Sequence, residues 1–257
     1  MKALVTFGCS WTAGIGCWYD EDTSLEEYKK ARKKFKLSKI MMDNSYRFIL
    51  ANRHGYDNIN FSAGGSSNGK QFRLAEEYFN LDDYKKYDEV IVLWGITSTA
   101  RLDAWDVKNN RYTNVFLNNK SLPKTIEYEW MMHHYDHDVE VRRLSNQMQH
   151  WDKYFSMIGV KNYWFDTFNH HDYEYNSPNM IMGDENPRDL MSKLCKDQGL
   201  LFNEDRYHFS SWSLDNARIK FLLKRRLVNP HSCHPNKQCH ILLADILDKN
   251  VKFCYNK

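Results

Sequence analysis

The run DEVIVLWG, residues 88–95, constrains the fold more than any other stretch of this 257-residue chain. Val90 to Trp94 are apolar without a polar break, which predicts a strand buried on both faces, as inside a parallel sheet. Three further runs read as strands: KALVTFG (2–8), YDNINFS (56–62) and VKNYWFDTF (160–168). Helical spacing lies between and after them. SYRFILANRHG (45–55) ends at Gly55, a natural C-terminal cap, and GGSSNGKQFRLAEEYF (64–79) reads as a glycine-rich turn followed by an amphipathic helix. EVRRLSNQMQHWDKYFSMIG (140–159) and KQCHILLADILDKN (237–250) predict two more helices. A helix is also expected after the SWTAGIG loop, and a longer one over 24–39. Alternating strands and helices predict an α/β layered fold around a parallel sheet.

No repeat, low-complexity tract or linker divides the chain, so one domain over 1–257 is expected. Irregular insertions are expected around 101–145 and 169–225. Within the first, NNRYTNVFLNNKSLP (109–123) reads as a hairpin or an extended excursion.

Charge narrows the partners. Lys and Arg number 36 against 33 Asp and Glu, a net charge of +3, which is too mild to imply nucleic acid. The basic run KKARKKFKLSK (29–39) follows the acidic DEDTSLEE (20–27), a pattern of a solvated helical face. No stretch approaches the ~20 apolar residues of a membrane span. The opening MKALVTFGCSW does not read as a signal peptide, so a cytoplasmic location is expected. None of the six cysteines forms a Cys-x-x-Cys pair, and free thiols are expected. HHYDHD (133–138) sets His133 and His137 four apart beside Asp136 and Asp138, but has no Glu where a zinc peptidase needs one. Neither NHHDYEY (169–175) nor HSCHPNKQCH (231–240) makes a stronger case, so no metal and no cofactor are expected.

In parallel α/β sheets, functional loops gather at the carboxyl ends of the strands. The loops there are GCSWTAG, SAGGSSNGK, GITSTAR and DTFNHHD. Ser10 follows the first strand, where a backbone N–H near a helix start can hold an anion. On its own it is an ordinary turn serine; Cys9 beside it is a rival nucleophile that alternation points the other way. Gly65 offers an N–H with no side chain in front of it. Thr97 could donate a hydroxyl. His234, held out of a helix by Pro235, could serve as the base that a serine nucleophile needs. Arg101 could bind an anionic substrate group or pair with an acid. Asn68 could line the site or serve a turn.

This set resembles the SGNH (GDSL-like) hydrolases. FGCSWTAG looks like the first block of that family, with Ser10 as nucleophile and Cys9 where the family has Asp. NFSAGGSSN resembles the second block, with Gly65 as oxyanion glycine. VIVLWGITSTAR resembles the third, with Thr97 where the family has Asn. CHPNKQCHILLADIL resembles the last, with His234 as base and His231 where the family has the acid three residues earlier. Asp166 and Asp215 are substitute candidates for that acid. The resemblance covers both ends of the chain but not the middle, about 101–225. It implies a three-layer α/β/α sandwich of the flavodoxin-like type. It also implies a cofactor-free serine esterase acting on acetyl or other short acyl esters of small molecules or carbohydrates, with Ser10, Gly65 and Thr97 forming the oxyanion hole. Trp105, Trp130, Trp151, Trp164 and Trp212 would supply sugar-stacking surfaces or core. The composition and the GCSWT form are reminiscent of bacteriophage proteins. Two other readings stand beside the esterase: a binding or structural module that kept the fold and lost efficient turnover, at home in a virion, and a transferase or deacetylase.

Overall fold

The computed structural model describes residues 1–15, 17, 43–106, 108–116, 133–167, 173–181 and 237–254. Four parallel strands form the sheet: β1 (Lys2–Gly8), β2 (Asp57–Asn60), β3 (Glu89–Ile96) and β6 (Lys161–Asp166), in the order β2-β1-β3-β6. β1 and β3 occupy the middle, and from Ala3 and Val90 onward each is buried throughout. Unbroken apolar sequence and two-sided burial thus coincide as parallel packing requires.

Helices cover both faces. α1 (Ser10–Ala13), α2 (Tyr46–His54) and α5 (Lys237–Asn250) lie on one side, where Trp11, Tyr46, Leu50, Leu243 and Leu247 pack against Leu4, Ile91, Leu93 and Phe165. On the other lie α3 (Asn68–Asn80) and α4 (His137–Ile158). There Phe72, Ala75, Phe79, Leu144, Met148 and Phe155 pack against Val5, Phe7, Val92, Trp94 and Trp164. The core of this second face is aromatic: Phe7 stacks on Trp94 at 4.6 Å and Trp94 on Trp164 at 4.8 Å between ring centroids. The result is the expected α/β/α sandwich with a parallel central sheet.

Local sequence accounts for most element ends. Gly55 and Gly159 close α2 and α4 at φ of 70° and 73°, in the left-handed region where glycine carries no Cβ penalty. Asp136 caps α4 by accepting from the N–H groups of Asp138 and Val139. The SWTAGIG loop differs from expectation: a four-residue helix begins within it, at Ser10 itself. Four residues are too few for any hydrophobic period to show. The helix foreseen over 24–39 lies outside the described residues.

Part of the expected middle insertion is a hairpin, β4 (Arg101–Asp106) with β5 (Arg111–Phe116). It starts earlier than 109 and leaves β3 after only four residues. It rests on α3, where Arg73 pairs with Asp103 at 3.1 Å and lies 4.1 Å from the centroid of the Tyr112 ring. Of the tryptophans, Trp151 and Trp164 are core, whereas Trp105 is 47% exposed on the hairpin. Trp130 and Trp212 lie outside the described residues.

A buried carboxylate fastens the far edge. Asp152 of α4 accepts from Asn162 (2.6 Å), Trp164 (2.8 Å), Tyr175 (2.8 Å), Ser177 (2.5 Å) and Asn179 (3.3 Å). It thereby ties α4, β6 and residues 175–179 together.

Candidate active site

The strand order puts β1 beside β3, with chain connections leaving in opposite directions from that pair. In open α/β sheets such a reversal is the place where ligands bind, at the carboxyl ends of the two strands. The residue after β1 is Cys9 and the first residue of α1 is Ser10. As the first helical residue, Ser10 has no acceptor for its N–H within α1. It is 4% exposed.

α1 is seated by small residues beneath it and an arginine beside it. Gly8 and Gly95 are neighbours in register, and a Cβ on either would lie 2.2 Å from the Thr12 hydroxyl oxygen. Only glycine at both positions lets the helix sit this close to the strand ends. Arg47 of α2, 1% exposed, donates to the carbonyls of Thr12 (3.2 Å) and Ala13 (3.3 Å) and to Asn58 (2.9 Å). It thus satisfies carbonyls at the end of α1 that the short helix leaves open. Burial pulls the guanidinium pKa below its ordinary value.

The second loop is laced to the first. Phe61 donates its N–H to Thr6 O at 2.9 Å and Ala63 to Gly8 O at 3.2 Å, continuing the β1–β2 ladder past its named end. The chain then turns, with Ser66 N–H on Ala63 O, and Gly65 takes φ of 73°. A Cβ on Gly64 would lie 3.1 Å from Ile15, so this turn lies against the segment just past α1.

Thr97 follows β3 and is fully buried. Its N–H donates to Asn68 Oδ1 and its carbonyl accepts from Asn68 Nδ2, both at 2.9 Å. Asn68, 7% exposed, therefore spends one acceptor and one donor on the chain next to Ser98. The same loop reaches α4 through Thr99, whose hydroxyl lies 3.0 Å from Tyr135 and 3.2 Å from His137 Nδ1. Arg101 closes the loop, 6% exposed. Burial depresses its pKa, while a hydrogen bond to the Cys9 side chain opposes that effect. Cys9 is itself fully buried, with its sulfur 3.9 Å from the Thr167 hydroxyl. A buried guanidinium thus sits against the residue next to Ser10.

Asp166 ends β6 opposite Ile96 and is 3% exposed. The Tyr173 hydroxyl donates to its Oδ1. Burial and the adjacent carboxylate push the Tyr173 pKa well above the ordinary tyrosine range, so the hydroxyl keeps its proton.

The structure therefore brings Ser10, Gly65, Asn68, Thr97, Arg101 and Asp166 to the carboxyl edge of the sheet. His231, His234 and Asp215 lie outside the described residues. α5 begins three residues after His234. Its first turn is pinned at that same edge: Cys239 shares a cluster with Cys9 and Trp11, and His240 Nδ1 accepts the Tyr46 N–H at 3.3 Å. Among the described residues, no three His, Cys, Asp or Glu side chains converge as metal ligands, and no helix is long and apolar enough to cross a membrane. The described cysteines, Cys9, Cys17, Cys239 and Cys254, are free thiols.

Sequence reading missed Arg47 and the pairing of Asn68 with Thr97. An arginine inside an apolar helical pattern gives no local sign that it is buried. Asn68 and Thr97 stand 29 positions apart, beyond any local pattern.

No family model matches the chain, and no curated protein matches it. Among solved structures it is similar to the psychrotrophic esterase EstA from Pseudoalteromonas sp., at 11% identity and a TM-score of 0.40, covering 96% of this chain and 95% of that one. It is similar to a member of the lipolytic G-D-S-L family from Veillonella parvula, at 10% identity and a TM-score of 0.35, covering 97% of each. It is also similar to a variant of an acetyl xylan esterase from Geobacillus stearothermophilus, at 13% identity and a TM-score of 0.40, covering 100% of this chain and 96% of that one.

Proposed function

We propose that the chain is a serine esterase of the SGNH type. Ser10 attacks an ester carbonyl, His234 takes the serine proton and passes it to the leaving alcohol, and water then releases the acyl group. The observation that carries this reading is the placement of Ser10: first residue of a short helix at the carboxyl ends of β1 and β3, seated on Gly8 and Gly95. The N–H groups of Ser10 and Gly65 serve as oxyanion donors, with the Thr97 hydroxyl as a third. Asp166 and Asp215 stay the candidates for the carboxylate that orients the base; of the two, Asp166 is described, at the carboxyl end of β6 with its Oδ1 taken by the Tyr173 hydroxyl. The substrate class is a short acyl ester of a small molecule or a carbohydrate.

Hydrolysis of p-nitrophenyl acetate by the wild type, by Ser10→Ala and by His234→Ala tests the proposal. Both variants are expected to fall to the background rate. Equal rates for wild type and Ser10→Ala would overturn it.

One observation favours the second reading, a binding module with little turnover. Thr97 is fully buried and its own N–H is engaged by Asn68. In that case the hole keeps two backbone donors, and losing one donor costs on the order of 10²–10³ in rate. Thr97→Val separates the readings: a fall of that size assigns the hydroxyl to the hole, and an unchanged rate favours the weaker site.

A further inference from the structure

We infer that Asn68 is a positioning residue, fixing the loop after β3 at the carboxyl edge of the sheet for the reaction proposed above; the inference rests on that serine-hydrolase reading. β3 has strand partners only as far as Ile96. On the β1 side the last pair is Gly8 with Gly95, because the chain turns into α1 after Gly8. On the β6 side the Ile96 carbonyl receives both the N–H (3.0 Å) and the hydroxyl (2.6 Å) of Thr167. Thr97 thus leaves the sheet fully buried, with a backbone N–H and C=O beyond the reach of the strand ladders. Buried backbone groups need partners, and Asn68 supplies both at 2.9 Å. One carboxamide does for Thr97 what a residue of a neighbouring strand would do.

Asn68 is a firm reference point. It is the first residue of α3, and the Ser67 hydroxyl caps that helix by accepting the Lys70 N–H at 3.2 Å. Phe72, Ala75 and Phe79 of the same helix are set in the core. The loop carrying Thr97 is therefore located by a packed helix and not by its own sequence. Thr97 bears the hydroxyl proposed as the third oxyanion donor, and its loop runs on to Arg101 and the Cys9 contact. Losing the carboxamide frees the Thr97 backbone, and misplacement by about 1 Å can cost on the order of 100-fold in rate.

The test compares wild type, Ser10→Ala, Asn68→Ala and Asn68→Asp, with p-nitrophenyl acetate as substrate. Active sites are counted by fluorophosphonate labelling, and Thr97 amide exchange is followed by NMR. Asn68→Ala is expected to keep its labelled Ser10 and its KM within about twofold, to lose about 10- to 100-fold in kcat per labelled site, and to exchange the Thr97 amide faster. Asn68→Asp, when ionised, still accepts the Thr97 N–H but has no proton to give the carbonyl. Its kcat relative to wild type is expected to rise as falling pH restores an O–H donor. A merely structural asparagine would change stability and leave kcat per labelled site untouched, and that result overturns the inference, as does unchanged Thr97 exchange in Asn68→Ala. Should Asn68→Ala not fold, Asn68→Asp alone carries the comparison, since in its ionised form it keeps the acceptor and loses the donor. If the wild type neither labels nor outruns Ser10→Ala, the esterase reading falls, and the positioning role with it. That failure is read from two arms in which Asn68 is unchanged.

Discussion

Around Ser10, residues that seat the helix matter as much as residues that react. Gly95 has no room for a methyl group: its Cβ would fall 2.2 Å from the Thr12 hydroxyl oxygen and 2.9 Å from a Thr167 methyl. Gly95→Ala is therefore expected to cost about 1–3 kcal/mol by overpacking, read as a lowered denaturant midpoint, and to weaken hydrolysis beyond that loss by lifting α1. Unchanged stability would mean that the helix is not seated as described. Arg47 makes a different kind of contact. Its fork reaches two carbonyls and one side-chain amide oxygen, a geometry a lysine cannot copy. Arg47→Lys keeps the charge and is still expected to lower kcat, because the end of α1 loses a partner. Activity equal to wild type in Arg47→Lys would show that charge alone suffices.

At the scale of the element, Asp152 joins α4 to β6 and to the segment after it. Five donors converge on its two oxygens, so Asp152→Ala strands several buried polar groups at once. The expected cost is on the order of 3–5 kcal/mol, measured by denaturant unfolding; a loss below about 1 kcal/mol would show that the donors find other partners. Burial raises the pKa of Glu89 at the amino end of β3, but hydrogen bonds from Cys254, Lys161 and Tyr56 outweigh it, and the net shift is downward. A carboxyl whose folded pKa is lowered stabilises the fold above its unfolded pKa, and that contribution is lost as pH falls through the folded value. Tm is thus expected to fall as pH drops below about 4.5, and less steeply in Glu89→Gln. Equal acid slopes would contradict the assignment.

The elements also show what sequence could and could not disclose. DEVIVLWG, KALVTFG and the helix over Lys237–Asn250 were legible because burial on a regular element leaves an apolar pattern. α1 was not, because four residues carry no period and its position is dictated by Gly8 and Gly95 meeting across two strands. Ser10 and Gly65 could be picked out as loop residues after strands. The Asn68–Thr97 pairing could not, since it depends on where α3 starts relative to β3. The hairpin at Arg101–Phe116 was half legible: its aromatic, β-branched sequence reads as extended, but its docking through Arg73 comes only with the fold.

At the scale of the whole molecule, one arrangement organises the rest. Connections reverse at β1 and β3, and loops from all four strands are tied together there through Ala63, Asn68, Thr97 and Thr167. α5 starts at the same edge, three residues after His234. In the proposed function this edge of the sheet makes Ser10 a nucleophile. A fluorophosphonate reacts fast with an activated serine and slowly with an ordinary one, so the decisive measurement is mass spectrometric location of that adduct on the wild-type protein. The expected result is a single adduct on Ser10, absent from Ser10→Ala and strongly slowed in His234→Ala. No adduct on Ser10, or labelling that persists elsewhere in Ser10→Ala, would contradict the account.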